Sequence, residues 1–146
     1  MGKAWSEYTN EPLVNRTEIV NSCADFYEDL EEGRINYFHQ DDGWFPKARR
    51  GYVFIYILLS AKKGNYSIAY VGQTANPMER LEQHIADTNS SPKSNWVAET
   101  IKEKRGPYMA LLNLVKKTDA TKFERAYIHG FTWWGSKLLN KNLNYS

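Results

Sequence analysis

Apolar residues recur along the chain in two periods, and the switches between them mark out its elements. Between Thr17 and Glu32 the apolar positions Ile19, Val20, Cys23, Phe26 and Leu30 fall on one stripe, which predicts an amphipathic helix. Asn15 and Glu18 suit a capping box at its start, and Gly33 suits its stop. From Arg34 to Pro46 no period holds, and Asp41-Asp42-Gly43 reads as a turn. Tyr52 to Ser60 is rich in β-branched and aromatic residues and apolar on both faces, as in a central strand. A turn over Ala61 to Tyr66 leads to a second strand, Ser67 to Gln73, and so short a connection implies an antiparallel hairpin.

The clearest helix start follows. Asn76 is the N-cap, Pro77 the first helical residue and Glu79 the acid of a capping box, with Met78, Leu81 and Ile85 as the buried stripe. Asn89 to Pro92 reads as a loop. The next helix is predicted from about Asn95 to Arg105 and is stopped by Gly106-Pro107. Tyr108 to Val115, nearly all apolar, suits a buried third strand. A last helix, Asp119 to Trp134, carries Phe123, Tyr127 and Phe131 on one face and ends at Gly135. The expected class is α+β: a small three-stranded antiparallel sheet flanked by helices over residues 51–146, behind an acidic, partly helical extension over residues 1–50.

Composition narrows the class. A chain of 146 residues with 42% apolar content can bury one core. No run approaches the ~20 apolar residues of a membrane span, and the first residues lack the apolar stretch of a signal peptide. Cys23 is the lone cysteine, which excludes an internal disulfide and a multi-cysteine zinc site. The expectation is a soluble cytoplasmic protein with no membrane partner.

The net charge of +2 conceals an asymmetry. Residues 1–45 hold ten acids and three bases, a net of −7, whereas residues 46–146 hold sixteen bases and seven acids, a net of +9. Solvated surface charge gives the same count, but a basic body also suits a polyanion. Lys47, Arg49, Arg50, Lys62, Lys63, Lys102, Lys104 and Arg105 are its candidate phosphate contacts. The acidic outer face of the first helix is either solvated surface or a phosphate mimic that shields the body.

Candidate chemistry gathers on the hairpin and its helix. Tyr56 stands in the first strand and Tyr70-Val71-Gly72 closes the second. Alternation puts Tyr70 and Gly72 on one face, and a glycine there admits close approach of a ligand or another backbone. Arg80 and His84, four apart, share a helix face beside the docking stripe. A cation, phenols and an imidazole beside open backbone suit a phosphodiester.

At this point the sequence resembles the GIY-YIG nuclease family. Phe54-Ile55-Tyr56 stands at its first motif and Tyr70-Val71-Gly72 at its second. Arg80 and His84, ten and fourteen residues after Tyr70, are at family spacing. Glu124 within Phe123 to Ile128 matches the family's helical glutamate, and Asn140 after Leu138-Leu139 its asparagine. Asn142 and Asn144 compete for that last role. Trp96 is similar to the phage and mobile-element members. Two departures stand out: Phe54 replaces the family's first glycine, and the interval from Tyr56 to Tyr70 is a few residues longer than usual.

The resemblance implies metal-dependent hydrolysis of a phosphodiester, usually in DNA, with RNA as an alternative substrate. It implies Glu124 as the ligand of Mg²⁺ or Mn²⁺, Arg80 on the scissile phosphate and Tyr56 orienting or deprotonating the attacking water. Tyr70 and His84 would hold the phosphate and the Tyr56 hydroxyl or relay a proton, Gly72 would admit the backbone, and Asn140 would support the site. One such centre cuts one strand, so monomer and homodimer both stay open. The rival reading is a binding module of the same fold without chemistry.

Overall fold

The computed structural model describes residues 15–43 and 45–140. The first helix, α1, spans Arg16–Glu31, and its first turn is closed by the Asn15 side chain, which accepts from the Glu18 N–H. Strand β1 (Tyr52–Lys62) turns through Lys63 and Gly64, both at positive φ, into β2 (Asn65–Thr74). A two-residue turn of that hand matches the twist of the paired strands, so the hairpin is longer at its tip than the apolar pattern alone predicts. Helix α2 (Pro77–Ala86), helix α3 (Pro92–Lys102), strand β3 (Tyr108–Lys116) and helix α4 (Ala120–Trp133) follow. The sheet is antiparallel in the order β2-β1-β3, so β1 is central, as its two apolar faces require. Strand β3 takes an edge and is only partly buried.

Alternation along β1 builds two separate cores. Val53, Ile55, Ile57 and Leu59 face α1 and α4, where Ile19, Cys23, Leu30, Phe123 and Phe131 meet them. Tyr56 and Leu58 face the other way, onto Leu81, Met109 and Phe45, with Met78, Ile85 and Trp96 at the margin. The acidic helix α1 is therefore part of the core behind the sheet, and its charged face points outward. The segment before β1 crosses to the opposite side: Phe38 bridges to Met109 and Phe45 is buried beside Tyr56.

A β-bulge sets the orientation of the second strand. Leu58 pairs with Tyr70 but Leu59 pairs with Ile68, so Ala69 is the extra residue. The bulge lets Ile68 and Val71 share the α1/α4 core while Tyr70 turns to the face of Tyr56. The Ala69 carbonyl accepts from the Leu139 N–H (2.7 Å), which brings the segment after α4 onto the free edge of β2.

The one displaced element is α3. It begins at Pro92 rather than Asn95, because Ser91 caps it by accepting from the Ser94 N–H (3.1 Å) and Pro92 takes the first helical position. The residues read as a loop thus contain a helix start. No helix among the described residues is long and apolar enough to cross a membrane.

Candidate active site

The Tyr56 hydroxyl is the hub of a buried polar cluster. Its side chain leaves the centre of β1 with no exposed surface. It lies 2.7 Å from His84 Nε2 and 3.4 Å from Arg80 Nε. Both partners sit on α2, whose start is fixed by Asn76: its side chain accepts from the Glu79 N–H, while its amide group donates to the Glu79 carboxylate. The helix phase set there puts Leu81 and His84 into the interface and leaves Arg80 at its rim. Tyr70 closes the cluster, with its ring edge-on to His84 at 5.2 Å between centroids and its hydroxyl hydrogen-bonded to Arg80.

Gly72 pairs with Tyr56 across the hairpin, and the Tyr56 ring occupies the place a side chain would take. A Cβ there would stand 2.5 Å from both Cζ and the hydroxyl oxygen of Tyr56. The close approach expected at Gly72 is thus that of the Tyr56 phenol, not of a ligand.

A cleft of about 330 Å³ opens beside this cluster, lined by Tyr70, Arg80, Asp87, Lys93, Glu124 and Asn140, among others. Glu124 comes from α4, behind the sheet, and reaches round the edge of β2, where Gln73 hydrogen-bonds its carboxylate. Asn140 holds that edge. Its Oδ1 accepts from the Val71 N–H (3.0 Å), and its Nδ2 donates to the Val71 carbonyl (2.7 Å). One side chain thereby supplies the pairing of a missing fourth strand. Asn142 and Asn144, its competitors by sequence, lie outside the described residues.

Burial tunes the ionisable groups. The Tyr56 phenol is pushed well above its ordinary range, first by burial and then by Tyr70, with Arg80 opposing. His84 is lowered to about 3, chiefly by burial and further by Lys93 and Arg80, so it is neutral at any working pH. Glu124 is raised by burial, against the Gln73 hydrogen bond and Arg125.

Tyr56, Tyr70, Arg80 and His84 are thus in mutual contact, and Glu124 and Asn140 reach the same cleft. The eight candidate phosphate contacts do not line it. Lys47, Arg49 and Arg50 precede β1 at one end of the sheet. Lys62 and Lys63 sit at the hairpin tip, and the Arg105 carbonyl accepts from the Ala61 N–H at that same end, with Lys102 and Lys104 just before it. Arg105 is also paired with Glu103 (2.6 Å) and Glu99 (3.5 Å), so its charge is largely spent within the protein.

Sequence reasoning missed Lys93, which lines the cleft, and Gln73, the partner of Glu124. Lys93 was hidden by the misplaced start of α3, for which Ser91-Pro92 was the available signal. Gln73 shares the strand face of Val71, toward α4, and alternation would have found it.

Residues 52–137 match the model of the GIY-YIG catalytic domain, and the chain belongs to that family. It therefore carries a nuclease domain, a hydrolase acting on nucleic acid. No curated protein and no solved structure matches the chain.

Proposed function

We propose that this protein is a divalent-metal-dependent endonuclease that hydrolyses phosphodiester bonds in DNA, with one active centre per chain. The observation that carries the reading is the Tyr56 hydroxyl held between His84 Nε2 and Arg80 Nε beside a cleft walled by Glu124.

The donor set suits a hard cation that keeps its waters. Among the described residues no three His, Cys, Asp or Glu side chains converge, which speaks against a zinc cage. Glu124 alone is compatible with Mg²⁺ or Mn²⁺ held by one carboxylate, water and substrate phosphate. When bound, such an ion supplies Lewis-acid polarisation of the phosphate and stabilisation of the leaving oxygen.

The protein's own groups do the rest. Arg80 turns its guanidinium onto the scissile phosphate and counters the charge gained in the transition state. Tyr56 then orients the attacking water or takes its proton, a task for which the phenol, raised by burial, needs the donors around it. Neutral His84 fixes that hydroxyl. Tyr70, which lines the cleft, contacts the phosphate. Asn140 and Gln73 hold β2 and Glu124 in place.

The test is incubation of purified protein with supercoiled plasmid, with Mg²⁺ or with chelator, beside a single-stranded RNA of similar length. Nicked plasmid with Mg²⁺ only is the expected result. Binding without nicking would mean a module that keeps the fold and not the chemistry, and cleavage of the RNA alone would move the substrate.

A further inference from the structure

We infer that Lys93 is a positioning residue that locks His84 in the tautomer carrying its proton on Nε2. His84 then offers the Tyr56 oxygen a hydrogen-bond donor rather than an acceptor. The inference rests on the active-site reading above and adds a residue to it.

Lys93 lies in the first turn of α3, nine residues after His84. Its side chain is 17% exposed, low for a lysine, and its Nζ stands 3.0 Å from His84 Nδ1. Asp87, just beyond the end of α2, accepts from the same ammonium at 3.3 Å. The Asp87 carboxylate is itself held by the Asn89 N–H at 3.0 Å. The ammonium also lies 5.7 Å from the centroid of the Tyr70 ring. Three groups from two different segments thus define where Nζ sits.

An ammonium has donors and no lone pair. His84 Nδ1 must therefore accept from Lys93. A neutral imidazole has one N–H, so that proton is on Nε2, 2.7 Å from the Tyr56 oxygen. Arg80 Nε–H donates to the same oxygen. Two donors aimed at one phenol oxygen favour the deprotonated form and leave its own proton free to go elsewhere. The opposite tautomer would accept the Tyr56 proton and tie it down. The chain Asp87–Lys93–His84–Tyr56 thereby decides which way the hydroxyl at the hub can act.

The experiment is ¹⁵N spectroscopy of the imidazoles in histidine-labelled full-length protein, with the His84 signals identified by their loss in His84→Gln. The parent is expected to show Nε2 protonated and Nδ1 as a hydrogen-bonded acceptor. Lys93→Met keeps an unbranched apolar stem, one atom shorter, and removes the donor, and it should shift His84 toward the Nδ1–H form. Lys93→Arg should retain the parent pattern. In the plasmid assay with Mg²⁺, Lys93→Met is expected to lower turnover by about tenfold to a hundredfold, as loss of an orienting partner does. Lys93→Arg should recover most of that. An Nδ1–H signal in the parent overturns the inference whether or not the variants fold. So does a rate loss in Lys93→Met with an unchanged His84 pattern, which would make Lys93 a phosphate contact. If the parent fails to nick while the His84 pattern responds to Lys93, the tautomer lock stands and the nuclease reading falls.

Discussion

Arg80 faces two demands that its position at the rim of α2 lets it meet. In the free protein its Nε reaches Tyr56 and its Nη1 donates to Gln83 (3.0 Å), yet the side chain borders the cleft. In the proposed mechanism its interaction with phosphate strengthens as charge develops, so Arg80→Ala is expected to slow nicking by on the order of a hundredfold or more. DNA affinity should change far less. Arg80→Lys should rescue little, because an ammonium lacks the planar fork. Single-turnover cleavage and a binding titration on the same DNA separate the two effects, and nicking within a few-fold of the parent would remove Arg80 from the active site. Gly72 is subject to a purely steric argument. A methyl group at 2.5 Å from the Tyr56 hydroxyl must push the phenol away, which breaks the bond to His84. Gly72→Ala is expected to cost roughly 1–3 kcal/mol of stability, the usual penalty for overpacking, and to abolish nicking in protein that still melts cooperatively.

At the level of elements, the edge of β2 is the part most dependent on distant sequence. Val71 presents its N–H and carbonyl outward, and Asn140, sixty-nine residues away, satisfies both. Asn140→Ala leaves two backbone groups with water at best, at a cost of about 1–2 kcal/mol. Amide exchange at Val71 should accelerate beyond the global change, while exchange in α1 should follow the global change only. Equal acceleration everywhere would mean that Asn140 does not act locally. Such long-range pairing also explains what the sequence could reveal. Central β1, the start of α2 and the face carrying Phe123 and Phe131 were legible because each rests on local periodicity or a local cap. The bulge at Ala69 was not, because only the pairing with β1 defines it. Lys93 was not, because its partner His84 lies across a loop whose last residues, Ser91 and Pro92, are also the start of α3. Tyr56, Tyr70, Arg80 and His84 were singled out by spacing, but only the packing shows that Gly72 exists to accommodate the phenol.

Over the whole molecule, burial of His84 in neutral form links the site to stability. Its folded value of about 3 lies below the ordinary histidine value of 6.5, so the unfolded chain binds a proton that the folded chain refuses. This group costs nothing above pH 6.5; below it, stability falls by about 1.4 kcal/mol per pH unit until the folded value is reached. In denaturant melts across that window, His84→Gln should flatten the decline relative to the parent, and parallel declines would contradict the burial of a neutral imidazole. Charge acts over a longer range. The eight candidate phosphate contacts lie at two ends of the sheet, with Arg80 and Lys93 at the cleft. A duplex crossing the cleft releases counterions for each phosphate it pairs, a slope of about −0.9 in log K against log salt per contact. The cations differ in what they have to offer. Arg105 is already held by Glu99 and Glu103, whereas Lys47, Arg49 and Arg50 are exposed on the segment leading into β1. Tyr56 lies four residues from the start of that strand, roughly 13 Å at ~3.3 Å per residue. Joint replacement of Arg49 and Arg50 by alanine is therefore expected to reduce the steepness of the salt dependence by roughly 2, and Arg105→Ala to leave it nearly unchanged. Fluorescence anisotropy of a labelled duplex with chelator present, titrated at several salt concentrations, reads the slope without cleavage. A flat response in the parent would mean that the charge asymmetry has no part in binding nucleic acid.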